Sequence, residues 1–266
     1  MLANNDDFRD DAKTTAIQKA TRLMQAIATA DDPQQLAELA QQVGMPKPTV
    51  HRLLTQLEEV GMVGRDLGGK GFTIGATWLQ LAIDSLIARA KQPAIRGIMR
   101  KLVDQIQESC NLGILQDYEV LYLERVECDW PLRMQLRSGS RVPLHCTASG
   151  KMFLASMDPA LFEKILPNLR FQKFTNNTIT NAGALREEID AIRSAGFSTN
   201  REEYNLGLIG VAIPIRRRDK SVAATLSIHA PSFRMSLDTA LGHLPLLQQT
   251  AAEIASEIGL NGQSTG

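Results

Sequence analysis

Hydrogen-bonding and cationic side chains are concentrated on one side of residues 46–57. If Val50, Leu53, Leu54 and Leu57 face a core, a rotation of about 100° per residue turns the polar positions outward. The outward residues are Pro48, His51, Arg52, Thr55 and Gln56, with Lys47 and Thr49 in the first turn. Such groups can bind base edges in the DNA major groove and phosphates beside it. The alternative is an ordinary solvated helix face.

The surrounding elements predict a winged helix-turn-helix. A helix with apolar residues at three- and four-residue spacing runs from Thr14 to about Thr29. Asp32-Pro33 should open a second helix that ends at Gly44, and a third helix runs from Pro46 to Gly61. The Gly-rich stretch 62–75 then predicts a small β-hairpin, the wing.

Charge in this region favours an oligomer. Arg65 and Lys70 bracket the tip of the predicted wing, where a cation could reach the minor groove or a phosphate. Residues 45–70 contain four cations and three carboxylates, a net of one positive charge. Because few phosphates are neutralised per chain, useful affinity requires two copies on a two-fold site. We therefore expect a homodimer or tetramer on double-stranded operator DNA.

Composition excludes several classes of protein. The 29 Lys and Arg residues balance 29 Asp and Glu residues, so a uniformly positive surface is ruled out. The odd set Cys110, Cys128 and Cys146 does not suggest a disulfide framework. No signal peptide or apolar run of membrane-spanning length is evident, so we expect a cytoplasmic protein without membrane contact. Residues 1–13 are acidic and without period, which predicts a disordered tail.

The rest of the chain predicts an α+β domain. An amphipathic helix from Ala76 to Arg89 is the expected connector, and Pro93 opens another helix. Strand hairpins then mix with helices without a regular βαβ rhythm, which predicts a mainly antiparallel sheet. Strands are expected at 112–116, 120–127, 132–137, 142–145, 211–215 and 222–229, with helices near Thr147, Asp158, Asn181 and Leu244.

The sequence resembles the IclR family of bacterial transcription regulators. The resemblance is carried by Leu36 to Ala40, by Gly44 to Leu54, by Leu144 to Lys151, by Gly196-Phe197 with Glu202 to Gly207, and by Ser227 to Pro231. It implies a winged helix-turn-helix at 14–75, a linker helix at 76–92 and a GAF-like α/β effector and oligomerisation domain at 93–260. Members act as repressors or activators. Pro48 stands where the family usually has Ser or Thr, so Thr49, His51 and Arg52 should carry more of the DNA contact.

The resemblance also implies an effector site. By position it is lined by Met134, Ala148, Ser149, Asn200, Leu208, Gly210, Ser227 and His229. The expected effector is a small organic carboxylate, aromatic or from another degradative pathway, bound by helix-start amides near Thr147 to Gly150. A protonated His229 could add a charge-assisted bond. Gly210 should leave extra room.

Other readings have less support. A small-molecule-modifying enzyme could use Cys146 beside His145, but successive strand residues face opposite ways, so no catalytic residue is assigned. His and Cys are scattered without ligand spacing, and neither metal nor cofactor is expected. A phosphate-loop spacing occurs at Gly64, Gly69 and Lys70, but Gly71 replaces the Ser or Thr that would hold magnesium. The run from Arg216 to Arg218 is interpreted as a solvated turn rather than a second DNA site. A constitutive DNA-binding protein without effector remains a second alternative.

Overall fold

The computed structural model describes residues 14–30, 32–66, 68–90, 92–131 and 136–260. The chain divides into two compact units, with the boundary in sequence between Leu86 and Ile87. Each unit has its own hydrophobic core. Within the described ranges, every helix is too short or too polar to cross a membrane.

The N-terminal unit is a three-helix core with a two-stranded hairpin. Its elements are α1 (Ala16–Ala28), α2 (Leu36–Val43), α3 (Lys47–Glu59), β1 (Val63–Arg65) and β2 (Phe72–Ile74), followed by α4 (Ala76–Ala90). The three helices pack against one another around Leu23, Leu39 and Leu54, which are almost fully buried. This order confirms the predicted winged helix-turn-helix.

The turn between α2 and α3 depends on a glycine. Gly44 caps α2 in the left-handed region with φ of 67°, and its amide donates to the carbonyls of Ala40 and Gln41. A residue with a side chain would be strained in this backbone conformation. Pro46 then precedes α3 as its N-cap residue, so the two helices are joined by a short, defined turn.

The predicted start of the second helix is wrong. Asp32-Pro33 does not open α2, which begins at Leu36 with Gln35 as its N-cap. Instead Gln34 pairs with Phe72 of β2: each amide donates to the other residue's carbonyl, at 3.1 and 2.8 Å. The segment before α2 is therefore extended, because its backbone groups are satisfied by the wing.

The C-terminal unit is a six-stranded antiparallel sheet covered by helices. Its strands are β3 (Ser109–Gln116), β4 (Glu119–Val126), β5 (Arg141–Pro143), β6 (Ser198–Arg201), β7 (Leu208–Arg216) and β8 (Val222–Pro231). Its helices are α5 (Pro93–Ile106), α6 (Ala148–Ser156), α7 (Pro159–Ile165), α8 (Ala182–Ala195), α9 (Leu237–Gly242) and α10 (Leu244–Glu257). The strand order is β5-β4-β3-β8-β7-β6 and every neighbouring pair is antiparallel. The predicted α+β class with a mainly antiparallel sheet is confirmed.

The two faces of this sheet are covered differently. Helices α5 and α10 pack against each other and against the sheet. On the opposite face α6 contacts β3, β4, β6, β7 and β8, and α8 packs on α6. The core on the α6 side includes Tyr122, Ala148, Met152 and Ala212. Strand β6 and helix α9 were not predicted, and the strand predicted at 132–137 falls mostly on residues outside those described.

Candidate functional site

Helix α3 hides its leucines and exposes its polar side. Val50, Leu53 and Leu54 are buried in the core of the N-terminal unit. Of the residues predicted to contact DNA, Thr49 is half-buried and the others on this helix are exposed: Lys47, Pro48, His51, Arg52 and Gln56. The outer face therefore offers an ammonium group, an imidazole, a guanidinium and a carboxamide, groups that can bind base edges and phosphates.

The turn of the wing is organised by Asp66. Its Oδ1 accepts hydrogen bonds from the amides of Lys70 and Gly71, both at 2.9 Å. Hydrogen bonds from Gly71, and then from other amides of the turn, lower the pKa of Asp66. The side chain of Lys70 is exposed at this turn. The wing thus presents one of its two predicted cations at its tip.

Arg65, the other predicted wing cation, is engaged by the protein itself. Its Nε and Nη2 lie 3.1 and 3.2 Å from the carboxylate oxygens of Glu58 on α3. Its guanidinium also lies 3.8 Å from the centroid of the Phe72 ring. The pair is partly exposed, so its contribution to stability is small. Arg65 therefore fixes the base of the wing to α3, whereas Lys70 points outward at the turn.

The predicted effector residues meet on the face of the sheet that α6 covers. Asn200 of β6 is opposite Gly210 of β7, which is opposite His229 of β8. Directly opposed residues of antiparallel strands share a face, so these three lie side by side. The same face carries Leu208 and Ser227 at alternate strand positions, with Ala148 and Ser149 in the first turn of α6. Met134 lies outside the described residues.

His229 belongs to a buried chain of hydrogen bonds. Its Nδ1 lies 2.8 Å from Nδ2 of Asn111, and Oδ1 of Asn111 accepts from Nη1 of Arg125 at 2.8 Å. Burial, and secondarily the charge of Arg125, lower the pKa of His229 to about 3. The ring is therefore neutral at pH 7. The condition for a charge-assisted bond from His229, a protonated ring, is therefore not met, and Arg125 supplies positive charge on this face.

The expectation that Gly210 leaves extra room is also wrong. A Cβ added at Gly210 would lie 2.9 Å from Cδ2 and 3.2 Å from Nε2 of His229, and 3.0 Å from the carbonyl oxygen of Ile228. The imidazole thus lies across the glycine and fills the space that a side chain would take. Glycine is needed at this position because the ring approaches the backbone closely.

Buried hydroxyl groups surround this histidine. The Oγ atoms of Ser149 and Ser227 are buried and make no hydrogen bond of good geometry to a described residue. Tyr122 lies between them: burial raises its pKa to about 12, and weak side-chain hydrogen bonds with Ser149 and Ser227 offset part of the shift. Buried hydroxyls without a well-formed hydrogen bond are rare in folded proteins, so this cluster is a candidate ligand site.

The start of α6 adds backbone donors to the same face. Thr147 is the N-cap, and its hydroxyl accepts from the amide of Gly150 at 3.1 Å. The amide of Gly150 is therefore not free for an effector, because it already donates to Thr147. The amides of Ala148 and Ser149 lie at the positive end of the helix dipole. This end of α6 favours an anion.

Cys146 lacks the surroundings of a nucleophile. The thiol is buried, and burial, followed by the charge of Glu203, raises its pKa to about 12. The neighbouring His145 uses its Nε2 to contact the carbonyl of Gln172 at 3.0 Å, and burial lowers its pKa. Catalysis by thiolate requires a lowered pKa and a base in reach. The residues that the structure describes also contain no cluster of His, Cys, Asp and Glu suited to a metal ion.

A buried cluster of one lysine and two glutamates connects the elements beside this site. Nζ of Lys151 lies 2.6 Å from Glu203 and 2.7 Å from Glu188, and the lysine side chain is fully buried. Burial raises the pKa of Glu203, and the charge of Lys151 opposes that shift. The Lys-Glu pair joins α6 to the turn after β6, and it therefore positions both elements that border the candidate effector site.

Three residues of this site were missed from the sequence: Asn111, Tyr122 and Arg125. They lie on β3 and β4, and each is almost fully buried. A signal was available, since Asn111 and Arg125 are polar residues at inner positions of these strands. Polar residues at central strand positions must find partners. Asn111 and Arg125 are in fact directly opposed in the sheet.

Comparison with known proteins identifies the family. Residues 87–256 match the family model for the bacterial transcriptional regulator IclR C-terminal domain, and residues 16–67 match that for the IclR helix-turn-helix domain. The chain belongs to the IclR family of bacterial transcriptional regulators. It is accordingly a DNA-binding regulator with a C-terminal effector domain.

Curated relatives share nearly the whole chain. The probable transcriptional regulator SauR of Cupriavidus necator is 39% identical over 236 residues, which cover 89% of this chain and 94% of that protein. The transcriptional repressor IclR of Escherichia coli is 30% identical and covers 92% of each chain. The IclR structure from Thermotoga maritima matches with a TM-score of 0.58 at 25% identity, covering 91% of this chain and 98% of that one. These relatives are regulators rather than enzymes.

Proposed function

We propose that this chain is an effector-controlled dimeric or tetrameric regulator whose α3 enters the major groove of operator DNA. The observation that carries the proposal is the polarity of α3: Val50, Leu53 and Leu54 are buried while the opposite side reaches solvent. The proposed contacts are Lys47, Pro48, Thr49, His51, Arg52, Gln56 and Lys70, with Arg65 holding the wing against α3.

Arg52 provides the sharpest test of this surface. Its side chain is exposed, and it makes no ion pair with a described residue. We expect R52A to lose most specific affinity for a duplex selected from a random library, with no fall in melting temperature. R218A removes an exposed arginine from the turn after β7 and is the matched control. Unchanged binding by R52A, or an equal loss in R218A, contradicts the assignment of α3.

The proposed oligomer is supported by α4. Leu79, Leu81 and Leu86 of this helix are 43%, 51% and 44% exposed. Leu79 and Leu86 are seven residues apart and therefore lie on one side of the helix. Large exposed apolar side chains in a row are typical of an interface. Light scattering should find a dimer or tetramer, and L79E with L86E should lower the mass; a monomeric wild type contradicts the proposal.

The proposed effector is a small organic carboxylate, aromatic or from another degradative pathway, bound on the polar face of the C-terminal sheet. Ser149 and Ser227 supply buried hydroxyls without a well-formed hydrogen bond, α6 supplies amides at its positive end, and Arg125 supplies a buried positive charge. An IclR homologue from Microbacterium hydrocarbonoxydans, 24% identical with a TM-score of 0.58 and coverage of 92% of this chain and 99% of that one, was crystallised with 4-hydroxybenzoate.

A thermal-shift panel of organic acids, 4-hydroxybenzoate among them, tests this site. A ligand at 100 times its Kd should stabilise the protein by about 2.7 kcal/mol. An acid that stabilises the wild type should lose its effect in S227V, which removes a hydroxyl from the face. A panel without any stabilising acid would favour a constitutive DNA-binding protein instead.

A further inference from the structure

Hydrogen bonds fix which nitrogen of His229 carries the proton. A guanidinium can only donate, so the Asn111 atom that lies 2.8 Å from Nη1 of Arg125 is the carbonyl oxygen Oδ1. The amide nitrogen Nδ2 therefore faces Nδ1 of His229, at 2.8 Å, and donates to it. Because Nδ1 is an acceptor, the neutral ring carries its hydrogen on Nε2.

Asn200, Gly210 and His229 form a row of directly opposed residues across three strands. The ring directs its Nε2–H over Gly210, in the middle of this row. The Cβ position of Gly210 lies 2.9 Å from Cδ2 and 3.2 Å from Nε2 of His229, so this edge of the ring leans over β7, away from Asn111 on β3. Beyond Gly210 lies Asn200, its direct partner on β6. Nε2 makes no hydrogen bond to a described residue, so its donor is available to a ligand.

Asn200 is also oriented as a donor. Its Oδ1 accepts a hydrogen bond from the amide of Glu203 at 2.9 Å. The side-chain carbonyl is therefore used within the turn, and the Nδ2 amide group is left for a ligand. The two residues that flank Gly210, Asn200 and His229, thus both present N–H groups, although either side chain could in principle present an acceptor.

The electrostatics of the face agree with this orientation. The side chain of Arg125 is only 3% exposed, and its carboxylate neighbour Glu127 lies 3.4 Å away and is 37% exposed. Burial and the charge of Arg125 hold the pKa of His229 near 3, and burial raises the pKa of Tyr122 to about 12. His229 and Tyr122, whose rings are arranged edge to face, are therefore neutral. The positive charge on this side of the sheet is the guanidinium of Arg125.

We propose that Arg125 acts through Asn111 as a positioning residue that holds His229 in the Nε2–H form, so that Asn200 and His229 bind an oxyanion of the effector. The proposal rests on the effector site proposed above. It assigns the negatively charged group, a carboxylate or an oxyanion of the same geometry, to the row at Gly210. An acceptor at Nε2 would instead select an effector with an N–H or O–H group at that end.

The tautomer can be measured without any effector. In full-length protein labelled with ¹⁵N-histidine, NMR at pH 7.5 distinguishes the two ring tautomers and the imidazolium, and H229N assigns the His229 signals. We expect the hydrogen on Nε2 and none on Nδ1. A hydrogen on Nδ1 in the wild type overturns the proposal.

N111D tests whether Asn111 transmits the orientation. An aspartate of the same shape can still accept from Arg125, but it has no hydrogen to give to His229, so Nδ1 should become protonated. N168D adds the same charge at an exposed asparagine and should leave the Nε2–H signals unchanged. If Nδ1 stays unprotonated in folded N111D, Asn111 does not position the ring. If N111D does not fold, the tautomer of His229 in the wild type alone decides whether the proposal stands.

Calorimetry tests the oxyanion half of the proposal. The most stabilising acid from the panel is compared with its own primary amide, which has the same shape but places an NH₂ group at the donors. We expect the acid to bind at least tenfold more tightly. Equal or tighter binding of the amide overturns the oxyanion assignment. A panel in which no acid binds overturns it together with the proposed effector site, while the NMR result separately decides the tautomer of His229 and the role of Asn111.

Discussion

Acidification should destabilise the C-terminal unit through His229. Histidine has a pKa of about 6.5 in an unfolded chain, whereas burial and Arg125 lower it to about 3 in the folded state. Below pH 6.5 the unfolded state binds the additional proton, so stability is present above that pH and is lost as pH falls towards 3. Between pH 7.5 and 5.5 the loss amounts to about 1.4 kcal/mol from this residue alone.

H229N isolates the effect. The asparagine oxygen can replace Nδ1 as the acceptor for Asn111 but does not titrate. We therefore expect urea unfolding to show an acid-induced loss about 1.4 kcal/mol smaller in H229N than in the wild type. His145, whose pKa burial also lowers, contributes equally to both proteins.

H51N is the matched control, because it removes an exposed imidazole from α3. Its acid-induced loss should equal that of the wild type. If H229N loses as much stability as the wild type between the two pH values, the burial of a neutral His229 is refuted. The same conclusion follows if H51N, rather than H229N, shows the smaller loss.

Three further substitutions follow from packing and burial. G210A should destabilise by about 1–3 kcal/mol in urea unfolding through overpacking, whereas G97A, with open space around the added Cβ, should stabilise by about 0.5–1 kcal/mol. K151M should cost about 3–5 kcal/mol because Glu203 is left buried without its cation. Iodoacetamide should not label Cys146 in folded protein, since burial raises the pKa of the thiol to about 12.

Each of these expectations has a contrary outcome. A neutral G210A would show that the ring above the glycine moves aside easily. A K151M protein as stable as the wild type would mean that the carboxylates are solvated or protonated. Rapid alkylation under native conditions would restore a reactive thiol and reopen the enzymatic alternative; C146A with unchanged effector-dependent DNA binding would close it.

The helix-turn-helix was predictable because its signals are local. The apolar spacing of α3 and the glycine after α2 depend only on neighbouring residues, and the helix and the turn that they predicted are present. The start of α2 was misplaced because the backbone of Gln34 pairs with Phe72, almost forty residues later. A proline preceded by an aspartate resembles a helix start unless that distant strand is known.

The effector site was only partly predictable for a similar reason. Asn200 lies on β6, a four-residue polar edge strand that lacks hydrophobic alternation, so its element could not be recognised. The charge of His229 was left open, and the space expected at Gly210 is absent. Each depends on residues that are remote in sequence: burial and then the charge of Arg125 lower the pKa of His229, and the imidazole beside Gly210 comes from the neighbouring strand β8.

The imidazole of His229 occupies the space that a side chain at position 210 would need, and this constrains how the regulator can evolve. A side chain at 210 would meet the imidazole of His229 as well as the carbonyl oxygen of Ile228, so it is less destabilising once the ring at 229 has been replaced by something smaller. A path in which the ring is lost first therefore avoids the overpacked intermediate. Homologues that respond to other metabolites should therefore differ at both positions together, and a library that randomises them jointly should yield altered inducers more often than two separate libraries.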